Sequence, residues 1–403
     1  MRSYVSRSGL ALITAFAVAG CNGLLTEAPD PGDVLDGPLD GLSAAEQAAF
    51  VAGDAAFEEA FSVASGLGPI FNNTSCAGCH AGDGRGRPDA GFSNVVMRVV
   101  PGAADGSPTI ERRAVSGAEA EREPEGVATS LRLPPPVFGL GLIEAIPAAA
   151  IVGRADAQDA DGDGISGRAH WVEAAVWVPE TEPGSGAGAQ LGRFTRRGRV
   201  STIFEQVVDA YHKDMGITTA YLPYENANLG ASVATSSFDR VAEPEVPEHV
   251  VQQVVFYLRT LAPPAPGEMT PVRERGLALF DEIGCALCHV AELRTGDHAV
   301  AALANRPVRL YSDLLLHDLG DALADGVADG DASGREWRTA PLWGLRVMRD
   351  FLGGDAFLLH DGRARSVDAA ILLHAGEAEA VRARYEGLNA SDRAALLDFV
   401  ESR

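Results

Sequence analysis

Residues 76–80 read CAGCH, and residues 285–289 read CALCH. In each, two cysteines stand three positions apart and a histidine follows at once. That spacing is the attachment pattern of a c-type haem. Each thiol forms a thioether with one porphyrin vinyl group, and the adjacent histidine falls beneath the iron as the proximal ligand. The residues concerned are Cys76, Cys79 and His80, and Cys285, Cys288 and His289. A CxxC pair also serves zinc or redox chemistry, so the alternative is one zinc held by four cysteines. Two copies that both keep the histidine favour two covalently bound haems.

The chain has 403 residues and 46% apolar content, enough for two or three domains with real cores. Its 33 basic and 56 acidic residues give a net charge of −23. Phosphate contacts need basic clusters, so nucleic acid is not an expected partner. The charge suits a cationic or neutral protein partner, bound calcium, or simple solubility. Arg2 and Arg7 precede an apolar run over residues 9–19 that is too short to span a membrane. The run ends in VAGC, which resembles a bacterial lipobox with Cys21 as the lipidated residue; ordinary cleavage after Ala19 is the alternative. Lipidation accounts for the odd fifth cysteine. The expectation is a signal peptide over 1–20 and an exported lipoprotein held at a membrane of the cell envelope, facing the periplasm.

Residues 21–42, rich in Pro, Gly and Asp, read as a flexible tether. Ser43 and Glu46 form a capping box, and Phe50, Phe57 and Phe61 recur behind it, predicting a helix over 44–64. Short alternating segments after His80 predict a small β-ribbon. Helices are expected over 202–215, from 248 to the PPAPG cluster, and over 273–283; a last helix starts with Ser391 as N-cap. His212 falls on a polar, exposed position of its helix. The proline cluster after Leu261 is the domain boundary. The expected fold is mainly α: two cytochrome c-like haem domains, 43–262 and 263–403, with the β-ribbon and a calcium-type loop inserted in the first.

Beyond the first CxxCH, the stretches PPPVFGLGLIEAIP, DADGDGISGR, DMGITT, YSDLLLHDLG, EWRTAPLWGL, LHDGRARS and ILLHAGEA resemble the bacterial di-haem oxidoreductase family. That family is distantly related to di-haem cytochrome c peroxidases. The resemblance runs from about residue 45 to the C-terminus. It departs after GRF, where an aromatic and a lysine are expected and this chain has TRRGR, residues 195–199. In the peroxidase relatives a His-Asp-Gly motif precedes the axial Met or Tyr of the second haem by fourteen residues. Here that offset from His360 reaches His374, which the resemblance makes the distal ligand opposite His289. His317 and Met215 are further candidates to ligate or line a haem.

Proton transfer during peroxide cleavage needs an acid–base group, and Glu144, in the apolar turn GLIEAIP, is the candidate, with burial expected to raise its pKa. Arg363 and Arg365 are candidate partners for haem propionates. Asp159, Asp161 and Asp163 with Gly164 resemble the start of a calcium loop, although position twelve is His170 rather than a glutamate. Asp325, Asp329 and Asp331 read as a solvated turn. The resemblance implies a peroxidase-like oxidoreductase. The first haem is its reaction centre, and the second passes electrons from an external donor: a cytochrome c, a cupredoxin or a quinone-linked partner. The rivals are a di-haem electron carrier and a haem enzyme acting on a thiol or protein substrate.

Overall fold

The capping box forms: Glu46 N donates to Ser43 Oγ, and Ser43 N donates to Glu46 Oε2 at 2.7 Å. The structure, a computed structural model, describes residues 34–80, 82, 84, 86, 96–99, 109–123, 125–226 and 238–403. The signal segment, Cys21 and the first part of the tether lie outside the described residues. In the first half, the helices are α1 (Ala44–Glu58), α2 (Cys76–Cys79), α3 (Leu140–Ala145), α4 (Ala148–Val152), α5 (Ile203–Asp209) and α6 (Glu248–Thr260). In the second they are α7 (Pro271–Glu282), α8 (Leu345–Phe351), α9 (Val367–Leu373), α10 (Glu379–Glu386) and α11 (Ala390–Glu401).

Each CxxCH follows a helix that crosses a later helix on a glycine. In α1 a Cβ on Gly53 would lie 2.2 Å from the Gln253 carbonyl of α6, so only glycine permits the approach. Phe50 and Phe57 then pack on Tyr257 at 4.9 and 5.5 Å. In α7 a Cβ on Gly276 would lie 2.1 Å from the Ala395 carbonyl of α11, and Phe280 packs on Phe399 at 5.6 Å. The two apolar cores do not divide at the proline cluster. The core around α1, α5 and α6 also takes Leu293, Leu303, Leu310, Leu314 and Trp343 from the second half. The core around α7 and α11 takes Leu133 from the first.

Strands are short antiparallel pairs in both halves. Val96–Val99 pairs with Thr129–Arg132, the ribbon expected after His80. Leu316–Asp318 pairs with Glu336–Arg338 in the second half, where no ribbon was expected.

Several local expectations are corrected. Leu35, Leu39 and Leu42 are buried, and Leu39 N donates to the Thr260 carbonyl, so the end of the tether is packed against α6. The first helix stops at Glu58, and Phe61 lies beyond it, buried against Tyr211. After α5 the chain widens into a π-turn, Ala210–Asp214, which turns His212 inward; it is buried, with Nε2 3.0 Å from the Tyr224 carbonyl. Asn389, rather than Ser391, caps α11.

The largest correction concerns the Asp325–Asp329 turn. Asp325 accepts from Arg197 at 2.7 Å and from Arg132 at 3.0 Å, while Asp329 accepts from Arg132 at 2.9 Å. Asp329 and Arg197 are both 0% exposed. Arg197 also donates to the carbonyls of Glu336, Val327 and Gly334 and stacks on Trp337 at 3.9 Å. His360 covers the opposite side of that ring, also at 3.9 Å. The TRRGR departure thus supplies the centre of a buried ionic network joining the two halves. Of the three aspartates only Asp331 is exposed.

Candidate haem sites

At the first CxxCH, Ser75 Oγ caps α2 by accepting from Gly78 N, and His80 N donates to the Cys76 carbonyl at 2.9 Å. The His80 ring lies 6.2 Å from Phe57. Burial pushes its pKa down to about 4, against the opposing pull of the Gly84 and Pro135 main chain, so the imidazole is neutral. Cys76, Cys79 and His80 line a cleft of about 1800 Å³, its open mouth included. Its walls are apolar residues such as Phe57, Pro135, Phe138 and Leu258, interrupted by arginines. Met215, at the end of the π-turn, lies on the same wall.

The second CxxCH begins at Gly284, whose φ of 94° turns the chain out of α7. His289 Nδ1 donates to the Tyr311 carbonyl at 2.8 Å, which leaves Nε2 as the acceptor nitrogen. Burial, with His374 nearby, pushes His289 down to about 4. His374 caps the C-terminus of α9 and its Nδ1 donates to the Ala370 carbonyl at 2.7 Å. His374 thus lies within electrostatic range of His289, and each ring has its Nδ1 engaged by a main-chain carbonyl.

His317 is corrected as an iron ligand. Its Nε2 lies 2.8 Å from Asp313 and its Nδ1 2.8 Å from Glu377, so both nitrogens are taken. Burial opposes its charge, but hydrogen bonds to Asp313, Cys288 and Glu377 push it up to about 12. The cation bridges two carboxylates beside Cys288, whose sulfur is 3.7 Å away. Glu377 also accepts from the Ser166 backbone and hydroxyl. The aspartate loop is thereby tied to the segment after His374.

Glu144 is buried but does not line the cleft. Its Oε2 accepts from Arg259 at 2.6 Å and its Oε1 from Ile203 N at 2.9 Å; Arg259 also binds Glu182. The carboxylates on the cleft wall are Asp209 and Asp214, which sequence reasoning missed although DAYHKDM places them around Met215. Arg363 pairs with Asp361 at 2.7 Å, and Arg365 lies over Phe357 at 4.0 Å. In the aspartate loop the oxygens that converge within 4.8 Å belong to Asp156, Asp159 and Asp161. Asp163 instead accepts from Ile165 N, and His170 Nδ1 donates to the Arg197 carbonyl.

The donor sets fit haem better than zinc. A zinc site needs thiolate and imidazole atoms on one point. Among the described residues, neither motif brings three such ligand atoms together, and the two cysteine pairs do not meet. The four motif cysteines form no disulfide, and both motif histidines are half-buried and held neutral by desolvation, the state that binds a metal.

A mainly helical protein with two such motifs belongs to the di-haem class. The sequence profile described as "Di-haem oxidoreductase, putative peroxidase" matches residues 17–105 and 108–403. The chain belongs to the di-haem oxidoreductase family, which supports haem as its cofactor. No curated protein sequence matches the chain. Among solved structures, Kuenenia stuttgartiensis hydrazine synthase pressurised with 20 bar xenon is similar at 14% identity, covering 98% of this chain and 100% of that one, with a TM-score of 0.43. A MauG-like protein associated with microbial copper homeostasis is 19% identical, covering 41% of this chain and 56% of that one, with a TM-score of 0.26.

Proposed function

We propose that this chain is a two-unit, c-type di-haem oxidoreductase of the cell envelope whose first site reduces a peroxide and whose second site relays electrons. The observation that carries this division is the asymmetry of the two sites. His80 lines an open cleft, whereas His289 has a second histidine, His374, within electrostatic range. In this reading Cys76 and Cys79 hold one haem with His80 as its proximal ligand. Cys285 and Cys288 would hold the other, with His289 and His374 as its candidate ligands. A haem with an open position supplies the redox centre for peroxide cleavage. Reduction to two waters takes two electrons from an external donor and two protons.

The chain's own residues supply the surroundings. Phe57, Phe138 and Leu258 make the cleft wall apolar. Asp209 lies 3.5 Å from Arg199 and 3.8 Å from Lys213, and with Asp214 it is placed to hold and move protons at the cleft wall. Glu144, engaged by Arg259 and the start of α5, positions that helix. We assign the aspartate loop a calcium ion held by Asp156, Asp159 and Asp161, and we retain Cys21 as the lipid anchor.

The test is ligand binding to the purified protein. One haem should bind cyanide and react with peroxide while the other stays low-spin. Two low-spin haems inert to both ligands would make the chain an electron carrier.

A further inference from the structure

Arg193 is 8% exposed and lines the first cleft, yet among the described residues its hydrogen bonds go to main-chain oxygens. Its Nη1 donates to the carbonyls of Ile143 and Ile146, at the end of α3. Arg338 lines the same cleft and donates to the carbonyls of Thr195 and Thr339. Among the described residues neither guanidinium has a carboxylate within ion-pair distance. Arg259 makes the contrast inside the same protein: similarly buried, it binds both Glu144 and Glu182. Burial pushes Arg193 and Arg338 down to about 10 each, whereas the carboxylates of Arg259 overcome its burial and raise it. Placing a cation in a low-dielectric wall without an anion is costly. Two such cations on one cleft call for two anionic groups.

We propose that Arg193 and Arg338 form the carboxylate clamp of the first site, each binding one propionate of its haem. This rests on the reading that the first CxxCH carries haem. A guanidinium presents parallel N–H donors that match a carboxylate, and the carbonyl bonds already fix each fork in place. Ion pairing keeps both propionates ionised. Their charge is then balanced within the protein rather than by solvent protons, and the potential of the first haem is insulated from pH.

The experiment uses the intact haem-loaded protein and the variants Arg193→Met, Arg338→Met and their lysine counterparts. Haem content at each CxxCH is measured first, by peptide mass and alkaline pyridine spectrum. The midpoint potential of each haem is then followed against pH by spectroelectrochemistry. In the methionine variants the first haem should shift to lower potential and acquire a pH dependence across the carboxylate range. The lysine variants should restore part of the shift, and the second haem should not move. An unchanged first-haem potential with haem in place would overturn the clamp and leave the arginines as caps on carbonyls. A saturable effect of added acetate on the wild-type first haem, lost in the variants with no change in pH profile, would also overturn it, in favour of a free anion. Absence of haem at Cys76 and Cys79 would instead refute the underlying site, a result the mass measurement separates. Should Arg193→Met fail to fold, Arg338→Met and Arg193→Lys give the same readouts.

Discussion

Replacing Arg197 by methionine removes the centre of the ionic network while keeping most of the side-chain volume. The guanidinium binds Asp325 and three main-chain carbonyls, and it lies over Trp337. Breaking a buried ion pair by deleting one partner costs about 3–5 kcal/mol. Arg132 still reaches Asp325 at 3.0 Å, so the loss belongs near the lower bound, about 3 kcal/mol. For a chain of this length each kcal/mol is worth about 1–2 °C, so the melting temperature should fall by roughly 3–6 °C. Arg197→Lys keeps the charge but cannot serve four acceptors, and it should fall between the two. The effect should depend on pH with a defined sign. Burial would raise the Asp325 carboxyl, but Arg197, Ser130 and Arg132 hold it below its ordinary 3.8. Its stabilisation is present above that value and is lost as pH falls through the lower folded one. The gap between wild type and variant should therefore narrow in strong acid. Thermal unfolding followed by circular dichroism, with haem content matched, measures this. A variant melting within a degree of wild type at neutral pH would refute the assignment of Arg197 as a stabilising centre.

His374→Ala should convert the second haem from low-spin to ligand-accessible, seen as new cyanide binding by optical and electron paramagnetic resonance spectra, with the first haem unchanged. Glu144→Gln should lower the melting temperature, because a buried bond to a charged group contributes about 1.5–3 kcal/mol, while peroxide reduction stays within a few-fold of wild type in stopped flow. Of Asp209→Asn and Asp214→Asn, at least one should slow that reaction by about a hundredfold, the usual loss for a proton-transfer group. Chelation should lower the melting temperature, and Asp156→Asn should abolish the response to added calcium, while Asp163→Asn leaves a response measurable by calorimetry.

The readable parts of the sequence were those whose partners are close in the chain. Ser43 and Glu46 predict their own capping box, and the two CxxCH motifs stand where helices Ala44–Glu58 and Pro271–Glu282 deliver them. His374 is reached only through a motif offset carried by the family resemblance, and its charge is felt at His289. What failed were charges whose partners are distant. Asp325 and Asp329 look like a solvated turn until Arg132 and Arg197 arrive from the other half. Glu144 looks like a free acid until Arg259 is placed beside it. His317 looks like a ligand until Asp313 and Glu377 occupy its two nitrogens. No local pattern encodes such pairings, since register and burial decide them only after the chain has closed.

The sharing of cores has a consequence for how this protein can be cut, recombined or inherited. A chain break near the proline cluster, residues 263–267, would strip Leu293, Leu303, Leu310 and Leu314 from the core they complete. It would also leave Asp325 and Asp329 without their counter-ions. The C-terminal portion expressed alone would present that apolar and anionic surface to water. The two CxxCH-bearing portions are therefore not interchangeable cassettes. A substitution on one side of the seam constrains what the other side accepts, so the pair must vary as one heritable unit.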